Sequence, residues 1–293
     1  VGFYCCKKGE SYDPENKLTA NLDGNTFSYS ISGLDPVTEY TFKAYATNAG
    51  GTGEASSEFK TKTIAPVVET KAAEGIQTTS ATLSGIVTKV GGHELQEVGF
   101  MYGTDNSTLA SVLKATTADS FSQTLTTAKS NTKYYYKAYA KNEDKTGEGE
   151  ILNFTTLPTL DVLSVTAITG TSATLNCSLK SDNGDATITS VGFYYCESAE
   201  AFPKDPITVS LLDDRTFSIS ITGLTAVTEY KVKAVATNAG GTSTTDEFTF
   251  TTAPTVATVK ASPDARQAVL NGTFVGNDAT TVGFMWGTSE NSL

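Results

Sequence analysis

Histidine is almost absent from this 293-residue chain: there is one, His93. A histidine-based metal site draws on several ligands that neighbouring loops supply together, and His93, in the segment Gly91-Gly92-His93-Glu94 with no second histidine and no cysteine nearby, reads as a solvated loop residue. Cations are also scarce. Lys and Arg number 21 against 32 Asp and Glu, a net charge of −11, which argues against nucleic acid and anionic lipid, since both reward clustered positive charge. The acids themselves are scattered, with Asp213-Asp214 adjacent, and no Asp-x-Asp-x-Asp loop of EF-hand type occurs. No apolar run approaches 18 residues, so nothing in this segment is expected to cross a membrane. A sustained 3.6-residue period is missing too, and with it any expectation of helices. Nothing places two carboxylates across a cleft for glycoside hydrolysis. The expectation is therefore of no catalytic residue, no cofactor and no metal, and of a chain that is not an enzyme.

What is present is repetition. Thr38-Glu39-Tyr40, with Lys43-Ala44-Tyr45-Ala46-Thr47-Asn48-Ala49-Gly50-Gly51, returns as Thr228-Glu229-Tyr230 with Lys233-Ala234-Val235-Ala236-Thr237-Asn238-Ala239-Gly240-Gly241, and in looser form from Tyr134 to Asn142. A Val-Gly-Phe phrase starts at Val1, Val98, Val191 and Val282. Tyr40, Tyr134 and Tyr230 stand 94 and 96 residues apart, the size of a small domain and not of a solenoid repeat. The phase divides the chain into 1–66, 67–158, 159–254 and 255–293, each break following a proline: Pro66, Pro158 and Pro254. The outer pieces are shorter than the inner two, which reads as an internal segment of a longer array.

The local pattern is β. In Tyr134 to Lys141, alternation puts Tyr134, Tyr136, Ala138 and Ala140 on one face, and Tyr40-Phe42-Ala44-Ala46 and Tyr230-Val232-Ala234-Ala236 keep the same apolar face. Further strands are predicted over Thr79–Val87, Val98–Tyr102, Phe121–Leu125 and Asn153–Thr156. Short strands and frequent turn signals in units of this size specify two-sheet antiparallel sandwiches. Linkers as short as Thr156-Leu157-Pro158-Thr159 predict units following one another as a rod.

The run Gly33-Leu34-Asp35-Pro36-Val37-Thr38-Glu39-Tyr40, leading into Ala46-x-Asn48-x-Gly50, resembles the E–F corner and F strand of fibronectin type III domains, and Gly223 to Gly240 repeats it. Thr79-Ser80-Ala81-Thr82-Leu83 and Thr171-Ser172-Ala173-Thr174-Leu175 resemble strand B, and Val98 to Gly103 strand C. These phrases are similar to tandem repeats in secreted and surface proteins of Gram-negative gut bacteria. The resemblance implies tandem immunoglobulin-like sandwiches and a tyrosine corner at Tyr40, Tyr134 and Tyr230, each hydroxyl bonded to nearby backbone. The second unit departs at Ala128, where Leu34 and Leu224 stand elsewhere, and at Glu143-Asp144-Lys145, which replaces Gly-Gly and predicts a different F–G turn. The fourth keeps the strand-B alternation as Gln267-Ala268-Val269-Leu270.

Of four cysteines, Cys177 takes the strand-B slot held by Gly85 and Gly272, and Cys196 the strand-C slot held by Gly103 and Gly287, with Cys6 in the same slot as Cys196. The paired replacement raises a Cys177–Cys196 disulfide, against which alternation sets the two out of phase; the other reading is small, partly buried thiols, Cys5 among them. A binding face is the second candidate site. With Phe3, Phe100 and Phe193 inward, Tyr4, Met101 and Tyr194 face outward beside Tyr45, Tyr139 and Val235, and Tyr135 joins Tyr139 in the second unit. Exposed rings can stack on sugars or a protein partner, or form ordinary cross-strand pairs beside Lys43, Lys137 and Lys233. Three roles fit: an extracellular or cell-surface spacer and adhesive array, an accessory carbohydrate-binding region of a secreted glycan-acting protein, and decoration domains of a phage virion. The partners expected are neighbouring repeats and a protein or glycan ligand. Since Val1 and Val282 open the same phrase, one chain's end completing another's beginning is disfavoured: both would compete for one strand position.

Overall fold

The structure is a computed structural model that describes residues 1–180, 182–264, 266–276 and 281–286. All regular structure among them is β-strand, and no helix is long and apolar enough to cross a membrane. Gly287 lies outside the described residues. Contacts divide the chain into two compact units, and the cut runs through 67–158, whose 126–133 corner belongs to the second unit.

The first unit is Val1–Glu74, Thr82–Leu125 and Tyr134–Asn153. Its strands, some reaching past the cut, are β1 (Gly2–Lys7), β2 (Leu18–Thr19), β3 (Asn21–Asp23), β4 (Thr26–Ser28), β5 (Glu39–Asn48), β6 (Gly51–Lys60), β7 (Val67–Glu74), β8 (Ala81–Lys89), β9 (Glu97–Gly103), β10 (Ser111–Ala115), β11 (Ser120–Leu125), β12 (Lys133–Lys141), β13 (Thr146–Glu148) and β14 (Leu152–Thr155). They form the sheets β2-β1-β5-β6, β11-β8-β7 and β10-β9-β12-β13, with β14 also on β12 and β3–β4 as a separate hairpin. Phe121 on β11 lies 5.3 Å from Phe100 on β9, so the second and third sheets share a core. That core follows from alternation: Leu83, Val98, Phe100, Tyr136 and Ala138 are fully buried, at about 1.5–3 kcal/mol for each large side chain. The Tyr136 hydroxyl donates to the Lys71 carbonyl at 2.7 Å, tying the two sheets together.

The second unit is Gly75–Ala81, Thr126–Lys133 and Phe154–Leu293. It carries β15 (Ser164–Thr166), β16 (Ser172–Ser178), β17 (Ile188–Glu197), β18 (Ile207–Val209), β19 (Thr216–Thr222), β20 (Glu229–Asn238), β21 (Gly241–Thr244), β22 (Phe248–Thr251), β23 (Thr255–Pro263) and β24 (Ala268–Val275). Sheet β15-β16-β19 faces sheet β18-β17-β20-β21, with β22 also on β20, and Phe217 meets Phe193 at 5.1 Å. Leu175, Val232, Ala234 and Ala236 fill this core from the faces alternation assigned. Among the described residues, β23 and β24 pair only with each other.

The glycine of each Val-Gly-Phe phrase has a common cause. A Cβ on Gly2, Gly99 or Gly192 would stand 2.4, 2.5 or 2.3 Å from the carbonyl oxygen of Leu18, Leu113 or Ile207 on the neighbouring strand, so only glycine lets β2, β10 and β18 approach.

The E–F corner is held by the expected tyrosine at Tyr40 and Tyr230 and by a threonine that the sequence did not announce. The Tyr40 and Tyr230 hydroxyls accept from the backbone N–H of Asp35 and Thr225, at 2.9 and 3.0 Å. A threonine from the last strand or just past it then closes the corner. Thr61, Thr156 and Thr252 each accept from the N–H of Thr38, Thr132 or Thr228 at 2.9 Å and donate to the carbonyl of Asp35, Lys129 or Thr225 at 2.6 Å. The residue before that N–H adopts a left-handed φ: 52° at Val37, 46° at Asn131 and 55° at Val227. Valine is strained there, and the surrounding hydrogen bonds hold it in place.

Candidate functional site

The expected outward aromatics do not form one face. Tyr4 and Tyr45 are brought together: Tyr4 pairs across from Lys43 and Tyr45 from Gly2, which places their rings 5.2 Å apart. Tyr12 adds a third ring 6.2 Å from Tyr4, Lys17 sits 5.9 Å over both Tyr4 and Tyr45, and Lys43 lies 5.2 Å over Tyr12. In the third repeat Tyr194 stands opposite Lys233 and meets Phe202 edge-on at 6.2 Å, with Lys231 and Lys233 both 5.2 Å from the Phe202 ring. Tyr12 and Phe202 were missed by sequence reasoning, although each lies six residues beyond the matched Cys6 and Cys196, so aligning the repeats would have found them.

The second repeat corrects the reading. Tyr139, expected to be exposed, is buried, and so is Val235 in the third repeat. The cause is Gly99 opposite Tyr139: the ring lies over the glycine, and its hydroxyl donates to Glu97 Oε1 at 2.7 Å. Glu97 Oε2 takes the Lys114 ammonium at 2.6 Å, and the Lys114 hydrogen bond, followed by that of Tyr139, holds the carboxyl below its ordinary range. Burial raises the Tyr139 phenol far above its usual range, so it stays a neutral donor. Met101 and Tyr135 are half-buried, Met101 opposite Lys137, which pairs with Glu148.

The disulfide reading is also corrected. All four cysteines are free thiols. Cys177 and Cys196 lie on different sheets and turn to different carbonyls, Cys177 Sγ to Asp161 and Ser178 at 3.6 Å each and Cys196 Sγ to Glu200 at 3.6 Å. Cys6 makes the matching contact to Glu10 at 3.4 Å, so the shared slot has a shared partner. Burial pushes the Cys177 thiol up to about 11, which leaves it protonated and unreactive at neutral pH. His93 is less isolated than expected, with Nδ1 3.4 Å from Glu143 and Nε2 3.9 Å from Asp144. Among the described residues no cluster of ligating side chains is arranged for a metal.

A second surface recurs where one repeat meets the next. The Asn142 amide donates to the carbonyls of Ile64 and Val90 at 3.0 Å. Asn238 donates to the Thr156 carbonyl and to Asn131 Oδ1 at 2.8 Å, and Asn131 in turn donates to Ala186 at 2.7 Å. Ile64 stands two residues before Pro66 and Thr156 two before Pro158, so the F–G asparagine grips the same point of each linker. A loop glycine seals the other side: Gly92 lies against Val37, Gly184 against Thr132 and Gly276 against Val227, each too close for a Cβ. As expected, the second F–G turn differs. Asn142 Oδ1 accepts from both Asp144 and Lys145, where Asn48 and Asn238 each accept from the glycine two residues on.

Residues 7–62 match the fibronectin type III domain family. No curated protein matches the chain. Among solved structures, the crystal structure of chicken CNTN1 FN1–FN3 domains shares 14% identity over 86% of this chain and 91% of its own, with a TM-score of 0.33. A two-domain fibronectin type III segment from chicken tenascin shares 16% over 64% of this chain and 97% of its own, with a TM-score of 0.39.

Proposed function

We propose that this tandem series of fibronectin type III-like repeats, divided at Pro66, Pro158 and Pro254, is a non-catalytic spacer of an extracellular or cell-surface protein, of the kind that bacterial surface arrays employ. The observation that carries this reading is the asparagine grip on the two linkers at Pro66 and Pro158, by Asn142 and Asn238, with Gly92 and Gly184 sealing the same junctions. Free linkers would let consecutive repeats swivel; a buried amide bonded to the linker backbone opposes that, because breaking it leaves polar groups unpaired. Small-angle scattering tests the reading. A compact globule of this length has a radius of gyration of roughly 19 Å. A spacer gives a value well above that, and a value near it overturns the proposal.

The ring cluster Tyr4, Tyr12 and Tyr45, flanked by Lys17 and Lys43, favours a second, adhesive role for the first repeat. Half-buried rings with ammonium groups over them suit a hydroxyl-rich sugar or an acidic peptide. Screening the chain and a Tyr4→Ala, Tyr45→Ala variant against a glycan panel separates the two roles: binding lost in the variant supports adhesion and the accessory glycan-binding alternative, and no binding by either leaves the spacer alone.

A further inference from the structure

We propose, building on the adhesive reading above, that the outer face of the third repeat binds an acidic sugar, its ring lying against Tyr194 and Phe202 and its carboxylate meeting the Lys231 ammonium. Tyr194 and Lys233 stand opposite each other on β17 and β20, and Cys196 stands opposite Lys231 two residues further along. The loop after β17 folds back over these side chains. Cys196 Sγ donates to the Glu200 carbonyl at 3.6 Å, and Phe202 meets Tyr194 at 6.2 Å with both ammonium groups 5.2 Å from its ring. Both rings are half-buried, so part of each stays open to solvent. Lys233 is paired with Glu247 at 3.1 Å, whereas Lys231 has no ion-pair partner among the described residues. The cluster thus holds an uncompensated cation on a chain whose net charge is −11.

Comparison among the repeats separates this arrangement from simple loop closure. The first repeat assembles the same parts: Tyr4 and Tyr12, Lys43 paired with Glu54 at 2.9 Å, and Lys17, with no ion-pair partner among the described residues, 5.9 Å over two rings. Lys17 supplies from a loop the free cation that Lys231 supplies from β20. In the second repeat the matching positions are Met101 and Leu109, and its lysines Lys114 and Lys137 are taken by Glu97 and Glu148. That loop closes all the same, with Asp105 bridged to Thr108 and Gly103 too near the Thr108 carbonyl for a Cβ. Closing the loop therefore requires neither the aromatic ring nor the spare cation, and the two occur together or not at all.

The position in the sheet selects the ligand. β17 and β20 are inner strands, with β18 on one side and β21 and β22 on the other, so their backbone groups are already paired and an extended peptide finds no edge to join. Recognition is left to side chains. The Tyr194 and Phe202 rings meet at 64°, a corner rather than a flat platform, which suits the C–H face and edge of one sugar residue. A carboxylate on that sugar answers the Lys231 ammonium. Nucleic acid and anionic lipid reward many clustered cations, which this face does not offer.

Titration calorimetry with oligomers of galacturonic and mannuronic acid, and with their methyl esters, tests this on the full chain carrying Tyr4→Ala and Tyr45→Ala, which removes the first repeat's cluster. The esters keep the sugar rings and lose the charge. At least one acid oligomer is expected to bind, and its ester about tenfold more weakly. Adding Phe202→Ala is expected to abolish binding; adding Lys231→Gln, which breaks no ion pair, is expected to bring the acid oligomer down to its ester. Acid and ester bound equally, an unchanged preference in Lys231→Gln, or oligoglutamate bound as tightly as the acid sugars overturns the inference. Binding by the unsubstituted chain that vanishes with Tyr4→Ala and Tyr45→Ala also overturns it and leaves the adhesive role of the first repeat standing. No binding by either chain overturns it too, and the glycan panel then decides the adhesive reading separately.

Discussion

Tyr230 lies against Phe250, its ring buried and its hydroxyl accepting from the Thr225 N–H. Tyr230→Phe keeps the packing and leaves that N–H unpaired, at a cost of about 1–3 kcal/mol. Calorimetry is expected to show only the transition of the third repeat moving down. The tyrosine was legible in advance because its phrase is repeated almost letter for letter. The threonine that completes the corner was not: Thr61, Thr156 and Thr252 lie 23 or 24 residues from the N–H groups they serve, and nothing local marks one threonine out from the others in a strand. Tyr139 failed for a different reason. Alternation tells which way a side chain points, and whether that side is covered depends on Gly99 and Glu97, which stand across the strand pair.

At the scale of elements, β9, β10 and β12 of the second repeat meet at Glu97, which takes Lys114 from β10 and Tyr139 from β12. Its folded-state pKa is lowered from the ordinary 4.5. The stabilisation is therefore present above pH 4.5 and lost as pH falls through the lowered value, when the protonated carboxyl gives up its ion pair. Lys114 and much of Glu97 are solvated, so the effect is modest. Melting of the second repeat followed from pH 6 downward should show a steeper decline in the wild type than in Glu97→Gln; equal slopes would show that Glu97 contributes nothing. Strand positions were readable from alternation, and Thr79–Val87 and Val98–Tyr102 fall on β8 and β9 with end shifts of one or two residues. That Cys177 and Cys196 stand apart could not be settled from the repeats, because repeat alignment matches slots within one sheet and carries no distance between two sheets.

For the whole molecule, the account rests on junctions, which the sequence showed only as short proline-bearing linkers. The conspicuous Asn-Ala-Gly-Gly phrase is a turn signal by itself; that its asparagine reaches the preceding linker needs the fold. Amide hydrogen exchange of the chain and of an Asn142→Ala, Asn238→Ala variant tests the central claim most directly. In the wild type, the junction N–H groups of Ile64 and Asn131, which donate to the Gly91 and Leu157 carbonyls, are expected to exchange slowly, and in the variant faster. Fast exchange already in the wild type, or a variant indistinguishable from it, would contradict the account.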